Sequence, residues 1–255
     1  MMKQATERFS DRVEDYRKYR PGYPQEMIKA LLSATDVHPQ SVITDIGAGT
    51  GILTRLLLEK GLQVCAVEPN DAMRQAADQS LAGMPGYTSR KAPAEQTGLP
   101  DHTVDLITAA QSFHWFCNEV TRTEFQRIAK PNAYLALIWN KRRFSSPLQR
   151  DYDAILRQLS PDYAYVNHMN LKDEDIRRFF AAGDMEQHVF ENSQCMDLDA
   201  LIGRVRSVSY CPQEGSANYT RLILVLTELH RTYQINGKIT FEYDTNLYLG
   251  RIHVR

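Results

Sequence analysis

The stretch VITDIGAGTGILTRLLLEKGLQVCAVE, residues 42–68, constrains the fold more than any other part of the chain. The apolar run up to Ile46 reads as a strand. Gly47, Gly49 and Gly51 then form a turn with almost no side chains, so something is expected to approach its backbone closely. ILTRLLLEKG repeats its leucines at helical spacing and ends at Gly61, a natural terminator, before LQVCAVE supplies a second apolar strand. Strand, glycine turn, helix, strand is a βαβ unit, and such units build parallel sheets.

The alternation continues. NDAMRQAADQSL is a helix capped by Asn70 or Asp71, and VDLITAA and AYLALIWN are further strands, so residues 37–144 read as an α/β core. Residues 145–236 are mainly helical, with DYDAILRQL, LKDEDIRRFFAA, LDALIGRVRSV and NYTRLILVLTELHRTYQI as helices and MEQHVFEN as the one strand. GKITFEYDTNLYLGRI, within 237–255, is expected to form a hairpin around a turn at Asp244 to Asn246 that closes the sheet edge. Residues 1–36 are a charged amphipathic opening, expected to be a helical lid with few contacts of its own.

Composition narrows the partners. The 30 Lys and Arg nearly cancel the 31 Asp and Glu, so no whole-chain field favours nucleic acid or an acidic membrane. No run of about 18 apolar residues is available for a membrane span and the opening lacks an apolar signal region, which fits the cytoplasm. Cys65, Cys117, Cys195 and Cys211 form no CxxC pair and are expected to be buried free thiols; the seven histidines lack metal-ligand spacing, so no metal is expected.

The glycine turn is GxGxG, with Ile52 where a dinucleotide fingerprint would need its third glycine, which weakens a pyrophosphate reading. Glu68 ends the second strand, where a carboxylate can accept from both hydroxyls of a ribose. Asp45, just before the loop, would repel phosphate and suits an ammonium or sulfonium, through water or neighbouring carbonyls. S-adenosylmethionine meets all three conditions.

With DIGAGTG, the strand-end acid in AVEPN and KAPAEQTGLPDHTVDLITAA, the chain resembles the class I S-adenosylmethionine-dependent methyltransferases over about residues 5–142. FSDRVEDYRKYRPGYP and AAQSFHWF are similar to the small-molecule branch that includes trans-aconitate methyltransferases. The resemblance implies a Rossmann-like, mostly parallel seven-stranded sheet with helices on both faces, an antiparallel C-terminal hairpin and a helical cap. It implies that Gly47, Ala48 and Gly49 pack under the methionine part and Glu68 holds the ribose. Pro69 and Met73 would flank the adenine, Ala94 would offer backbone to the base edge, and Gln111 would lie beside the methionine moiety. Met73 is equally a helix-packing residue. Two departures stand out: Pro93 where relatives often have a polar residue, and AKPNA in place of KPGG.

Methyl transfer needs alignment and exclusion of water more than catalytic groups. His114 in SFHWF is the candidate base or acceptor-orienting group, or else packs beside Trp115. Tyr16, Tyr19, Arg20 and Tyr23 form an aromatic and cationic cluster bent at Pro21 and Pro24; Arg20 could grip a carboxylate of cofactor or substrate, or pair with Glu14 or Asp15. Lys141, Arg142 and Arg143 read as a solvated loop or as an attractor for an acidic acceptor, and Tyr163, Tyr165, Tyr210 and Tyr219 line or pack the cap. The expectation is a small-molecule methyltransferase acting on an oxygen or a carboxylate, as monomer or homodimer. The alternatives are a cofactor-binding sensor or scaffold and, less favoured, an RNA or protein methyltransferase.

Overall fold

In the computed structural model, described for residues 12–164 and 171–252, the segment expected to start the core begins with β1 (Val42–Ile46), whose last four residues are buried. Helix α3 (Ile52–Leu58) turns Leu53, Leu57 and Leu58 inward and stops before Gly61, which takes φ 76°. Then come β2 (Gln63–Val67) and α4 (Asp71–Leu81), whose N-terminus is capped by Asn70, its Oδ1 accepting from the Met73 N–H at 3.0 Å. Strands β3 (Tyr87–Arg90), β4 (Val104–Ala110) and β5 (Ala129–Arg142) follow, with helix α5 (Glu119–Ile128) between the last two. Ahead of the core stand α1 (Val13–Tyr19) and α2 (Gln25–Thr35).

The second half adds α6 (Pro147–Leu159), α7 (Asp173–Arg177), β6 (Glu186–Met196), α8 (Leu198–Arg206), α9 (Ala217–Tyr233) and β7 (Ile239–Arg251). The seven strands form one sheet in the order β3-β2-β1-β4-β5-β7-β6, parallel except that β7 runs antiparallel to both neighbours. Strand alternation divides the core. Ile43, Val64, Leu106 and Ile138 pack with Met27, Leu57 and Leu81 on one face; Ile46, Val67, Ile107 and Leu137 pack with Phe113 and Phe125 on the other. A third cluster joins α6, α8 and α9 to Phe241 and Tyr243 of β7, so the cap is packed on the sheet.

Several expectations change. The expected turn at 244–246 is absent: β7 runs straight through it, because Thr245 and Asn246 are buried and satisfied across the sheet, Thr245 Oγ1 donating to Asn140 Oδ1 at 2.6 Å and Asn246 Oδ1 accepting from Gln187 Nε2 at 2.8 Å. The antiparallel partner is β6, an 11-residue strand, so 145–236 holds sheet as well as helix. LKDEDIRRFFAA yields only the five-residue α7, after which Phe180 bridges to Ile252. Of the four thiols, Cys211 is buried, Cys65 and Cys117 are intermediate and Cys195 is exposed. No helix among the described residues is long and apolar enough to cross a membrane.

The opening is better anchored than a lid with few contacts. Its described part, from Arg12, reaches the loop after α8: Arg12 donates to the carbonyls of Val208 and Cys211, and Arg20 Nη2 to that of Ser207 at 2.9 Å. Gln194 Nε2 donates to the Tyr19 carbonyl at 2.8 Å, and Asn140 and Asn192 both donate to the Gly22 carbonyl. Tyr19 lies on Gly203 so closely that an added Cβ would come within 2.1 Å of its ring.

Candidate active site

All the parallel strands that flank the glycine turn deliver their carboxyl ends to one edge of the sheet, where open α/β folds bind ligands. A cavity of about 450 Å³ opens there. The turn itself is held by β2: the Gly47 and Ala48 N–H groups donate to the Val67 carbonyl at 2.8 and 3.2 Å. Its three glycines have three separate uses. A Cβ on Gly47 (φ 66°) would meet Ser112 at 2.6 Å and one on Gly51 (φ 81°) Leu81 at 2.5 Å, so these two allow close packing. On Gly49 (φ 58°) the nearest atom would be Tyr16 Cε1 at 3.9 Å, so a side chain there would occupy the cavity instead. That is the space left for a ligand against the backbone.

Glu68 lies 8% exposed at the end of β2. Its Oε2 accepts from the Gly49 N–H and its Oε1 from the Asn70 N–H, both at 2.8 Å. Burial raises its pKa, and the two backbone bonds oppose the rise. Each carboxylate oxygen has two lone-pair sites, so the backbone fixes the carboxylate and leaves one acceptor position per oxygen. A pair of vicinal hydroxyls needs two adjacent acceptors of this kind. The bond from Gly49 to Glu68 escapes sequence reasoning, because nothing local pairs a turn glycine with a strand-end acid.

Asp45 is placed differently from the loop residues. It is 1% exposed, outside the cavity wall, and accepts from Thr54 Oγ1 at 2.6 Å and Thr108 Oγ1 at 2.9 Å. Burial lifts its pKa to about 6 against the pull of those two bonds. Ala48 is also absent from the wall. Tyr16, Arg20, Gly47, Gly49, Glu68, Pro69, Met73, Ala94, Gln111 and His114 all line it, as does Pro93.

Beyond β4 the wall changes character. Gln111 takes φ 58°, anchored by its N–H to the Ile138 carbonyl at 2.8 Å, and starts the turn that carries Phe113, His114 and Trp115. Phe113 is buried in an edge-to-face cluster with Phe116, Trp139 and Phe179, which holds the turn. The His114 ring tilts against Trp115 at 4.8 Å, as the packing reading expects, and the residue also lines the cavity. Arg20 forms no ion pair with Glu14 or Asp15: Glu14 pairs with Arg17, and Arg20 stacks on Tyr16 at 4.6 Å with its buried Nε lacking an acceptor among the described residues.

The basic triplet at the end of β5 is divided. Arg143 faces outward to Asp244 and Glu191, whereas Lys141 and Arg142 line the cavity. Tyr163 and Tyr210 line it too; Tyr219 accepts from Arg206 Nε at 2.7 Å outside it, and Tyr165 lies outside the described residues. Arg204 and Tyr243, neither singled out by the sequence, complete the cap end.

Residues 44–137 match the model of the methyltransferase domain. An uncharacterised methyltransferase of Mycobacterium bovis is 30% identical over 211 residues, which cover 80% of this chain and 77% of that protein. The chain belongs to the class I methyltransferase family. Among solved structures, a protein described as a type II methyltransferase from Anaeromyxobacter dehalogenans shares 25% identity at a TM-score of 0.64, covering 93% of this chain and 100% of that one. The fold also matches phosphoethanolamine N-methyltransferase 2 of Haemonchus contortus, solved with phosphomonomethylethanolamine and S-adenosylhomocysteine, at 14% identity and a TM-score of 0.55, covering 96% of this chain and 58% of that one.

Proposed function

We propose that the chain transfers the methyl group of S-adenosylmethionine to an oxygen of a small-molecule acceptor. The observation that carries this reading is the Glu68 carboxylate, fixed by two backbone N–H groups at 2.8 Å beside the open face of Gly49. It supplies the two acceptors a ribose needs, on the wall of a cavity that continues past Gln111 and His114 to the cap. When bound, the cofactor supplies an electrophilic methyl carbon: the acceptor oxygen forms the new C–O bond and the C–S electron pair stays on sulfur.

The chain's own residues position and enclose. Glu68 holds the ribose, Pro69 and Met73 flank the adenine, and Ala94 borders its edge. Gly47 and Gly49 give the methionine part a floor without side chains, with Ala48 between them in the turn. Asp45 beneath that floor contributes negative charge suited to a sulfonium, and Gln111 sits alongside. Arg20 offers its Nε and its charge to the methionyl carboxylate, with Tyr16 as the roof. His114 orients the acceptor, and for a hydroxyl acceptor it receives the proton. The aromatic turn and the strap over residues 12–24 exclude water from the reaction.

Incubation with methyl-labelled cofactor and a metabolite extract tests the reading. Label is expected in a small organic product. Tight binding of S-adenosylhomocysteine with no labelled small product would replace turnover by a sensor or scaffold role, and label in RNA or protein would replace the acceptor class.

A further inference from the structure

The cap end of the cavity concentrates positive charge, with no carboxylate among the residues that line it there. Four cationic side chains line the cavity, Arg20, Lys141, Arg142 and Arg204, and its two acids, Glu68 and Glu95, belong to the loops after β2 and β3 and are engaged there by Gly49, Asn70 and Asn118. Arg204 is 9% exposed, and its Nε and Nη1 have no acceptor among the described residues. Arg142, with a side chain 13% exposed, has an unpartnered Nη1; its Nη2 donates to Tyr163 Oη at 2.5 Å. Asp153, 3.8 Å from Arg142, also binds Arg157 at 2.6 Å, so one carboxylate is divided between two guanidiniums.

Buried guanidiniums of this kind are costly. Each should find a partner, because a buried charge without one loses its hydration for nothing. Burial and the neighbouring Arg204 charge both push the Arg20 pKa down, which places two of the cations within electrostatic reach of each other. Tyr210 and Tyr243, both on the wall, are the common neighbours of Arg20, Arg142 and Arg204, and they offer phenol hydroxyls rather than carboxylates. The chamber therefore has donors and positive charge in excess, in planar forks suited to an oxyanion.

We propose that Arg142 and Arg204 form an anion-binding chamber that holds a carboxylate of the methyl acceptor. The inference rests on the methyl-transfer reading above for the identity of the ligand as the acceptor. In the sheet order Arg142 lies on β5 and its neighbour Tyr243 on β7, three and four strand spacings from the β2 that carries Glu68 at its end, or about 14–19 Å, so cofactor and acceptor are recognised at opposite ends.

The test is calorimetric titration of the protein loaded with S-adenosylhomocysteine, using acetate, benzoate and glutarate, their amides, and inorganic phosphate. At least one acid should bind, and its amide about tenfold or more weakly. Arg142→Gln and Arg204→Gln should each weaken that acid about tenfold or more, while S-adenosylhomocysteine affinity stays within about twofold, since a charged hydrogen bond is lost only at the cap end. Arg204→Met, which keeps the apolar stem and removes the buried charge, should unfold at or above the parent's Tm. Equal binding of acids and amides, no acid binding, unchanged acid affinity in either Gln variant, or a lowered Tm with intact acid affinity would each overturn the chamber. Phosphate binding more tightly than every acid would overturn the carboxylate assignment. Failure of S-adenosylhomocysteine to bind the parent would instead overturn the methyl-transfer reading.

Discussion

Replacing Glu68 by Ala removes the acceptor of two backbone donors at once, one buried and one part-buried. The Gly49 and Asn70 N–H groups, each 2.8 Å from a carboxylate oxygen, lose their partner. An unsatisfied buried donor costs about 1–3 kcal/mol, and two would cost about 2–6. Two effects reduce the sum: water reaches the vacated space from the cavity, and the variant no longer buries a carboxylate whose pKa is raised by burial. We expect a net loss of about 2 kcal/mol, which lowers Tm by roughly 4–8 °C for a chain of this size. Cofactor affinity falls further, because the two acceptors for the ribose also go. At about 1.5–3 kcal/mol for a charged hydrogen bond, S-adenosylhomocysteine should bind roughly ten- to a hundredfold more weakly by calorimetry. Glu68→Gln should be intermediate, since it keeps one acceptor but turns an amide N–H₂ toward a backbone donor. Equal affinity in parent and Ala variant would remove Glu68 from the site, and equal Tm would refute the account of the loop.

Gly49→Val should abolish S-adenosylhomocysteine binding, as the side chain would project into the cavity from a backbone at φ 58° that a β-branched residue resists; retained affinity would refute the glycine-floor assignment. Asp45, with a folded pKa of about 6 against an ordinary 3.8, holds a proton more tightly when folded, so its contribution to stability grows as pH falls through 6 toward 4 and its ionised form costs about 3 kcal/mol at pH 7. In urea unfolding the stability difference between Asp45→Asn and parent should change by that order between pH 4 and 7, and a constant difference would show an unperturbed carboxyl. Arg20→Ala should weaken S-adenosylhomocysteine, and that ligand should raise hydrogen-exchange protection over residues 12–24; unchanged cofactor affinity with a raised acceptor KM would move Arg20 to the substrate.

The sequence revealed the first half of the sheet because three independent signals agree there: apolar runs of strand length, glycines at the turn, and leucines at helical spacing. Where one signal acts alone, it fails. Strand β3, YTSR, is four residues with two exposed positions at the sheet edge and carries no apolar run. Helix α5 is polar apart from Val120, Phe125 and Ile128; its readable mark was Asn118, whose Oδ1 accepts from the Thr121 N–H at 2.9 Å as a cap. In β7 the run Asp244 to Asn246 imitates a turn, and only the cross-sheet partners Asn140 and Gln187 make it a strand. The cavity-lining residues from Gly47 to Gln111 were legible because they follow strand ends in order. Arg142 and Arg204 were not, because one sits in a basic triplet and the other in a helix, and pairing of distant cations is set by how the cap packs.

The strap over residues 12–24 touches both ends of the cavity. Helix α1 has seven residues and buries none of them, far too few to be stable alone, so its order comes from the ties around it. Those ties are unevenly distributed. Tyr16 reaches toward Gly49 at the cofactor floor, Arg20 stacks on Tyr16 and donates to Ser207 behind α8, and Tyr19 rests on Gly203 one residue from Arg204. The carbonyls of Tyr19 and Gly22 accept from Gln194 and Asn192 on β6 and from Asn140 on β5. A displacement of the strap thus disturbs the roof over Gly49 and the backing of Arg204 together, whereas Glu68 and the glycine turn are held by backbone bonds to β2, β3 and the loop after β2. On the proposed reading, the ribose contact at Glu68 rests on the parallel sheet, whereas the methionyl end of the cofactor and the acceptor share a roof held largely by polar contacts.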